Sequence, residues 1–377
     1  MQSQFQLGRM LKVKIEKLVR KEIFKLPFYD AESVFPKKLG EKIIKLDLNE
    51  NLAIPSDVIK KLLLNACQQA DVRRYPPPHG GAVVQAISEF WGFDESAVFV
   101  GNGSDQLLEL IMKAFLRGQT KVLVVEPTFP LYAYFAQLYG GEKVTVPLRP
   151  DFSLDVNAVL EKSSEKPSLL FVCSPNNPTG NQFKENDVKK MLQEFNGLVV
   201  VDEAYVEFAR YSVTDWIGEF DNLVVLRTFS KAFGLAGVRL GFAVSNRSVM
   251  ECIRRVTPPF NVNIIAQRVV ALALQNWNYF KQRIAYIVRE REWLRKVLAE
   301  IDGVVPFPSN ANFVLFRIIK KGVSSSTVRD KLQSRNVLVK DKGYAPLLEN
   351  CIRVTVGTRE MNEAFVSALK EVLEELF

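Results

Sequence analysis

Short apolar runs alternate with amphipathic stretches through the middle of the chain. The runs lie at 98–100, 121–125, 168–173, 197–201, 222–226 and 238–244. They are continuous and rich in β-branched residues, which is typical of strands covered on both faces. Helical periodicity at 105–115 and 185–195 separates some of these runs. The pattern predicts an α/β domain with a mostly parallel sheet covered by helices.

The pattern changes after about Gln275. A charged amphipathic stretch at 277–301 predicts a long helix, and the following segments predict a strand at 312–318, a helix at 325–334, strands at 337–339 and 352–356, and a final helix. This order is typical of a smaller α+β unit. We expect a large domain over 53–274 and a small domain that combines 275–377 with 1–52. The stretch 12–25 mixes basic, acidic and apolar residues and predicts an amphipathic helix at the N-terminal arm.

Composition narrows the classes of function. The chain has 377 residues, of which 47% are hydrophobic and 24% charged, as in soluble globular proteins. The net charge is +8, but Lys and Arg are interleaved with acids, which argues against a nucleic-acid partner. No apolar run is long enough for a membrane span, and the start of the chain does not look like a signal peptide. We therefore expect a cytoplasmic protein.

Cysteine and histidine usage excludes further chemistry. The four cysteines are scattered without a CxxC pair, so we expect neither disulfides nor a metal site. The single histidine, His79, excludes multi-histidine metal sites. It lies in a turn-like segment, and no GxSxG motif accompanies it, so a Ser-His-Asp triad is not indicated.

Four polar segments follow predicted strands, where ligands of doubly wound sheets bind. The first, Gly-Asn-Gly-Ser-Asp at 101–105, precedes a helix, and its glycines and free N–H groups favour a phosphate. An ordinary turn with an N-cap is the alternative. The segment matches neither a P-loop nor a dinucleotide-binding fingerprint.

The second segment, Ser-Pro-Asn-Asn-Pro-Thr-Gly at 174–180, forms a constrained turn that presents Asn177 to the strand ends.

The third segment is Asp-Glu-Ala-Tyr at 202–205. Asp202 either caps a helix or keeps a proton on a heterocyclic nitrogen. The fourth is Thr-Phe-Ser-Lys-Ala-Phe-Gly at 228–234, in which Lys231 follows a buried strand. Desolvation would lower the pKa of such a lysine and make it nucleophilic, whereas a surface lysine is the alternative. Thr228, Ser230 and Arg239 can form a cup for a phosphate.

In their order and spacing, the four segments resemble the fold-type-I pyridoxal-phosphate aminotransferases, and the likeness runs from about Asp47 to the C-terminus. The resemblance implies that Lys231 carries pyridoxal 5'-phosphate as a Schiff base and moves the proton at Cα. It also implies that Asp202 pairs with the pyridinium nitrogen and that Asn177 and Tyr205 bind the ring oxygen. The positions that match the ring-stacking and phosphate-binding residues are Phe129, Ser104, Asp105, Thr228, Ser230 and Arg239.

The same resemblance assigns Tyr75 to the cofactor phosphate of the neighbouring subunit. It therefore implies a homodimer with shared active sites.

Further runs resemble the histidinol-phosphate aminotransferase family: Leu-Asn-Glu-Asn at 48–51, Arg-Tyr-Pro at 74–76, Pro-Ser-Asn-Ala-Asn-Phe at 308–313 and the segment 348–358. Arg353 matches the arginine for the anionic end of the substrate, and Lys340 replaces a second arginine of that family. Lysine keeps the charge but lacks the bidentate fork. A substrate-contacting Pro-Tyr pair appears as Pro-Phe-Tyr at 27–29, so Phe28 or Tyr29 takes that role.

The resemblance implies transamination between histidinol phosphate and 2-oxoglutarate in histidine biosynthesis, with small-molecule substrates only. An aromatic or broad-specificity aminotransferase and a threonine-phosphate decarboxylase remain alternatives of the same fold. A non-catalytic regulator is an alternative of another class, and the presence of Lys231 counts against it.

Overall fold

The computed structural model describes residues 14, 17–20, 23–24, 26, 43–117, 120–164 and 168–376. The candidate substrate residues Phe28 and Tyr29 lie outside the described residues, as does half of the predicted N-terminal helix at 12–25.

The described chain alternates strands and helices. The strands are β1 Ile44–Lys45, β2 Val98–Gly101, β3 Lys121–Glu126, β4 Glu142–Pro147, β5 Leu169–Cys173, β6 Leu198–Asp202, β7 Leu223–Thr228, β8 Gly241–Ser245, β9 Val304–Pro306, β10 Phe313–Ile318, β11 Val337–Leu338, β12 Lys340–Asp341 and β13 Cys351–Thr355. The helices are α1 Ser56–Gln68, α2 Gly81–Trp91, α3 Ser104–Phe115, α4 Leu131–Leu138, α5 Val156–Ser163, α6 Glu185–Glu194, α7 Arg247–Val256, α8 Ile264–Gln275, α9 Trp277–Ala299, α10 Ser325–Ser334 and α11 Arg359–Glu375. Short 3₁₀ helices lie at Pro78–Gly80, Glu95–Ala97, Val206–Phe208, Thr214–Trp216 and Ala236–Val238.

A seven-stranded sheet in the order β2-β8-β7-β6-β5-β3-β4 forms the centre of the large unit. β8 is antiparallel to both of its neighbours, and the other strand pairs are parallel. This confirms the predicted mostly parallel sheet. Successive residues of β3 pack on opposite faces: Val122 and Val124 join one hydrophobic cluster, and Leu123 and Val125 join another. Helices therefore cover both faces, which explains the uninterrupted apolar runs.

Two sequence predictions about this sheet need correction. The predicted strand at 238–244 begins only at Gly241, because Ala236–Val238 forms a 3₁₀ helix and Arg239 has a φ of 55°. The edge strand β4 was not predicted. Its Glu-Lys-Val-Thr-Val-Pro sequence is largely exposed and polar, so it lacks the apolar run that marks the central strands.

The second unit contains a four-stranded antiparallel sheet in the order β12-β13-β10-β9. The predicted strand at 337–339 is present as Val337–Leu338, and a further strand at Lys340–Asp341 was not predicted. Val337–Leu338 pairs in parallel with β1, whereas Lys340–Asp341 pairs antiparallel with β13. The β1–β11 pair attaches the segment before Leu46 to this unit, and the domain boundaries at 52 and 275 stay a prediction.

The register of the large sheet brings the polar segments together. Cys173 at the end of β5 pairs with Asp202, and Gly241 at the start of β8 pairs with both Gly101 and Thr228. The ends of β2, β5, β6 and β7 therefore meet at one edge of the sheet. None of the described helices combines the length and apolar character that a membrane crossing requires.

Candidate active site

A cavity of about 610 Å³ lies at this edge of the large sheet. Its wall contains residues of both units and of the segment after β1. The sequence-predicted residues in the wall are Ser104, Asp105, Phe129, Asn177, Asp202, Tyr205, Thr228, Ser230, Lys231, Arg239, Lys340 and Arg353. The structure thus brings the four polar segments and the small-unit cations to one place.

Lys231 lies just beyond the end of β7. Its Nζ donates a hydrogen bond to the carbonyl oxygen of Leu48 at 2.9 Å. Burial lowers the pKa of Lys231 to about 8, and the positive charge of Arg353 acts in the same direction. A larger fraction of its amine is therefore unprotonated near neutral pH than for a solvent-exposed lysine.

Asp202 ends β6 and is buried. One carboxylate oxygen accepts a hydrogen bond from the Tyr132 hydroxyl at 2.7 Å, and the other accepts one from the Ala204 N–H at 3.1 Å. Burial raises the pKa of Asp202 to about 6, although both hydrogen bonds oppose the rise. In the described part of the chain no Lys or Arg forms an ion pair with this carboxylate. It can accommodate one further positive group or proton in the cavity.

Tyr132 was not identified from the sequence. It lies in the apolar helix α4, is fully buried and stacks on Phe171 with ring centroids 5.0 Å apart. Nothing in the sequence around Tyr132 distinguishes it from an ordinary core residue.

The N-terminus of α3 and the turn before β8 form a cup. Gly103 has a φ of 83°, and a Cβ atom at this position would lie 2.6 Å from Nη2 of Arg239. That guanidinium contacts the Asp105 carboxylate at 3.1 Å. Thr228 and Ser230 add hydroxyls to the wall beside Ser104. Hydroxyls, a guanidinium and a helix N-terminus are the donors that a phosphate needs.

Hydrogen bonds connect the two units across the cavity. Nη1 of Arg353 donates to Oδ1 of Asn177 at 2.7 Å, and Nη2 donates to the carbonyl oxygen of Asp47. Nδ2 of Asn49 donates to the Tyr205 hydroxyl at 3.0 Å. Asn177 and Tyr205, predicted to bind the ring oxygen of a cofactor, therefore already have fixed orientations.

Lys340 lies directly opposite Arg353 in the β12–β13 pair. Such cross-strand neighbours point to the same face, and both line the cavity. Lys342 and Tyr344 also line it, although the sequence analysis did not select them. The signal that could have found Lys342 is its spacing of two from Lys340, since every second residue of an extended segment shares a face, whereas Tyr344 lies in the turn that follows.

Tyr75 is not part of this wall. It is 81% exposed and stacks on Phe260 with ring centroids 4.6 Å apart. His79 is also absent from the wall and lies in the 3₁₀ helix Pro78–Gly80.

Comparisons with known proteins agree with this architecture. The profile of the family described as aminotransferase class I and II matches residues 41–369. The histidinol-phosphate aminotransferase of Thermoanaerobacter pseudethanolicus is 38% identical, over 95% of this chain and 99% of its own length. The crystal structure of the Sinorhizobium meliloti histidinol-phosphate aminotransferase in complex with pyridoxal-5'-phosphate superposes with a TM-score of 0.87 at 26% identity, covering 95% of this chain and 98% of that one.

The Porphyromonas gingivalis L-threonine-O-3-phosphate decarboxylase also superposes, with a TM-score of 0.77 at 26% identity over 88% of this chain and 100% of that one. Fold and cavity thus define a fold-type-I transferase. Since the family profile spans most of its length, the chain belongs to the aminotransferase class I and II family. It is an aminotransferase enzyme.

The close approach of Gly103 to Arg239 gives a first testable prediction. Gly103→Ala should raise the Kd for pyridoxal phosphate about tenfold or more, because the new Cβ displaces the guanidinium from the cup, a loss of about 1.4 kcal/mol or more. Titration of the apoenzyme with the cofactor, followed by absorbance, measures this.

Gly92→Ala is the control for an alanine at a positive φ outside the cavity. Gly92 has a similar φ of 76°, but a Cβ there would have no neighbour within 4 Å. Gly92→Ala should lose about 1–2 kcal/mol of stability to the left-handed backbone, and Gly103→Ala should lose more, because Gly103 has a φ of 83° and a ψ of 165°, a region that is essentially restricted to glycine. Only Gly103→Ala should bind the cofactor less tightly. Equal Kd values in the two variants would mean that the cup around Gly103 and Arg239 does not bind the cofactor phosphate.

Proposed function

We propose that the protein transfers an amino group between histidinol phosphate and 2-oxoglutarate, with pyridoxal 5'-phosphate as cofactor, in histidine biosynthesis. The choice of substrate rests on one observation: Lys340 and Arg353 lie side by side on the wall of the cavity that contains Lys231. A cavity with an anion cup and a second cationic wall suits a phosphorylated substrate as well as a phosphorylated cofactor. The similarity to the histidinol-phosphate aminotransferases of Thermoanaerobacter pseudethanolicus and Sinorhizobium meliloti supports the same choice.

The residues present fit pyridoxal phosphate. The cup around Arg239 would hold its phosphate, Asp202 would hold its ring nitrogen, and Phe129 would contact the ring. Asp202 is suited to this role because its buried carboxylate has no cationic partner in the described ranges and gains stability from a proton held nearby. When bound, the cofactor supplies an aldehyde that condenses with amines and a protonated ring that withdraws electrons from Cα.

Lys231 has two tasks in this proposal. Its unprotonated amine would hold the cofactor, and once a substrate amine takes its place the freed amine would accept the proton from Cα of the substrate and deliver it to C4′ of the cofactor. Both tasks need a neutral amine. Burial favours that form, because the pKa of Lys231 is lowered to about 8. The Leu48 carbonyl oxygen, 2.9 Å from Nζ, orients the amine toward the cavity.

Arg353 is positioned before any substrate enters. Its two terminal nitrogens are held by Asn177 and by the Asp47 carbonyl oxygen, and its guanidinium lies 5.4 Å from the centre of the Phe313 ring. A held guanidinium loses less conformational freedom when an anion binds. A dianionic phosphate gains a charge-assisted hydrogen bond from Arg353 and a second from Lys340, whereas a carboxylate is satisfied by Arg353 alone.

An aromatic aminotransferase would not need Lys340, the second cation of the cavity wall. The pair of Lys340 and Arg353 therefore favours a phosphorylated substrate over an aromatic amino acid. A threonine-phosphate decarboxylase would use it, but the more similar relatives are aminotransferases. Family membership and the lysine in the cavity leave no support for a non-catalytic regulator.

A substrate panel tests the proposed function. The holoenzyme should convert histidinol phosphate with 2-oxoglutarate at a kcat/KM at least about tenfold above that for phenylalanine, for tyrosine or for unphosphorylated histidinol, since only histidinol phosphate engages both cations. Lys231→Ala, which lacks the amine, should be inactive and serves as the blank. A preference for phenylalanine or tyrosine would mean that the protein is an aromatic aminotransferase. Release of CO₂ from threonine phosphate would mean that it is a threonine-phosphate decarboxylase.

Lys340→Ala should raise the KM for histidinol phosphate about tenfold or more, since one charge-assisted hydrogen bond is lost. The KM for glutamate should change little, because Arg353 alone satisfies a carboxylate. Steady-state kinetics with both substrates measure the difference. Lys340→Arg should be neutral or slightly better. Lys321→Ala, at an exposed lysine outside the cavity, is the charge-matched control. Equal small effects on both substrates would mean that Lys340 is only a solvated charge.

We further propose a homodimer in which Tyr75 completes the site of the partner subunit. Tyr75, Phe260 and Val72 are exposed by 81%, 41% and 70% and lie outside the cavity wall of their own chain. An exposed aromatic stack of this kind suits burial against a second copy.

Mixing two inactive variants tests the shared site. Tyr75→Ala and Lys231→Ala should together recover part of the activity after subunit exchange, because one of the two sites in a hybrid dimer keeps both residues. Lys231→Ala mixed with Asp202→Asn is the control and should recover nothing, since both residues belong to one wall. The assay needs Tyr75→Ala to be severely impaired alone. No recovery with Tyr75→Ala, despite proven exchange, would mean that each chain has a self-contained site.

A further inference from the structure

The cavity has a third small-unit cation beside Lys340 and Arg353. Lys342 continues the antiparallel pairing beyond β12, since its N–H donates to the Cys351 carbonyl oxygen at 2.9 Å. Side chains two residues apart in an extended segment share a face. Lys342 therefore points to the same side as Lys340, and both lysines line the cavity with Arg353.

The nearest acid in the sequence does not face this cluster. Asp341 lies between the two lysines, but its Oδ1 accepts hydrogen bonds from Ser325 Oγ at 2.7 Å and from the Gly343 N–H at 2.9 Å. Helix α10, which begins at Ser325, therefore packs on the face of the β12–β13 pair that carries Asp341. The carboxylate is fixed toward α10 and away from the cavity.

The acids of the cavity wall are also engaged elsewhere. Glu50 binds Lys45 at 2.6 Å, and Asp105 binds Arg239 at 3.1 Å. Asp202 accepts the hydrogen bond of Tyr132.

Across the chain that the structure describes, neither Lys340 nor Lys342 forms an ion pair. The other titratable groups near the lysines are Cys351 on β13 and, in the cavity wall, Cys173, Tyr205, Lys231 and Tyr344. Apart from the three acids already engaged, the wall therefore contains no carboxylate to neutralise these cations.

We propose that Lys342 is the third cation of the substrate-phosphate site and that it takes up a proton when a phosphate monoester binds. The inference rests on the proposed function and adds a residue that reads the second charge of the phosphate. Lys340 and Arg353 bind the phosphate oxygens. The added charge of Lys342 makes the site bind a dianionic phosphate more tightly than a monoanionic carboxylate.

The electrostatics of the empty site support this. Burial lowers the pKa of Lys342 to about 7, and the positive charges of Arg353 and Lys340 act in the same direction, while Asp341 opposes them. A dianion at the site favours the ammonium form and raises that pKa. Above pH 7 the empty site holds mostly the neutral amine, so binding of a phosphate recruits a proton and affinity falls as the pH rises. Below about pH 6 the ammonium is already present and little uptake is expected.

Two substitutions separate charge from titration. Lys342→Met removes the cation and should raise the KM for histidinol phosphate about tenfold, while the KM for glutamate changes by less than about threefold. Lys342→Arg keeps a cation that does not titrate, so it should keep a low KM and lose the extra pH dependence above pH 7. Lys321→Met, at an exposed position in the same unit, removes the same charge outside the cavity and should behave as the unmodified enzyme.

Binding without turnover gives an independent measurement. Ethyl phosphate is a phosphate monoester without an amine, and the holoenzyme cup is already filled by the cofactor. Calorimetry in two buffers of different ionisation enthalpy, at about pH 8, should show uptake of close to one proton per site by the unmodified holoenzyme. Lys342→Arg should bind ethyl phosphate with about one proton less.

The outcomes distinguish this inference from the proposed function. If histidinol phosphate is a substrate but Lys342→Met leaves its KM unchanged, or if Lys342→Arg takes up as many protons as the unmodified holoenzyme, the inference is wrong and the function stands. If histidinol phosphate is not a substrate, the proposed function is wrong. Proton-linked binding of ethyl phosphate would then still support the role of Lys342. If ethyl phosphate bound without proton uptake, the inference about Lys342 would be wrong as well.

Discussion

The site depends on the cost of removing charged groups from water. Asp202 and Lys231 follow neighbouring strands of one sheet, and burial is the largest cause of the pKa change at each. It raises the pKa of the acid to about 6 and lowers the pKa of the amine to about 8, so both groups move toward their neutral forms. A buried carboxylate that gains from a nearby proton and a buried amine that readily loses one are the two groups that amine chemistry on a heterocycle needs.

The second unit completes the cavity in which these groups lie. The large sheet supplies the floor of the cavity, while the β12–β13 strand pair supplies the wall with Lys340 and Arg353. Between them lies the short segment after β1. Its backbone carbonyl oxygens at Asp47 and Leu48 accept hydrogen bonds from Arg353 and Lys231. A peptide carbonyl orients a cation without neutralising it, so both side chains are held in place and keep their capacity to bind an anion or to react.

Much of this arrangement follows from local sequence, and some of it does not. Continuous apolar runs predicted the central strands because those strands are covered on both faces, and the polar segments after them were predicted to meet. The edge strand β4 was missed because its exposed residues give no apolar run. The split of 337–341 into two strands in different sheets was missed because it depends on partners far away in the sequence, Ile44 and Arg353. Tyr132 was missed because a buried tyrosine in an apolar helix looks like core until its hydroxyl is seen 2.7 Å from Asp202.

The substitution of lysine for arginine at position 340 has a different meaning once the strand pairing is known. From the sequence alone, Lys340 is a weaker version of a bidentate anion-binding residue. In the structure it lies next to a second lysine on the same face, so the wall presents two compact lysine amines beside one fixed guanidinium. Guanidinium groups stay protonated at all relevant pH values, whereas the Lys342 amine, whose pKa burial lowers to about 7, does not. In the inference drawn above, Lys342 therefore makes the charge of the wall depend on what occupies it, because its amine is mostly neutral above pH 7 when the cavity is empty and protonated when a dianion is bound. Such a wall avoids part of the cost of an uncompensated buried charge and still offers full charge to a phosphate.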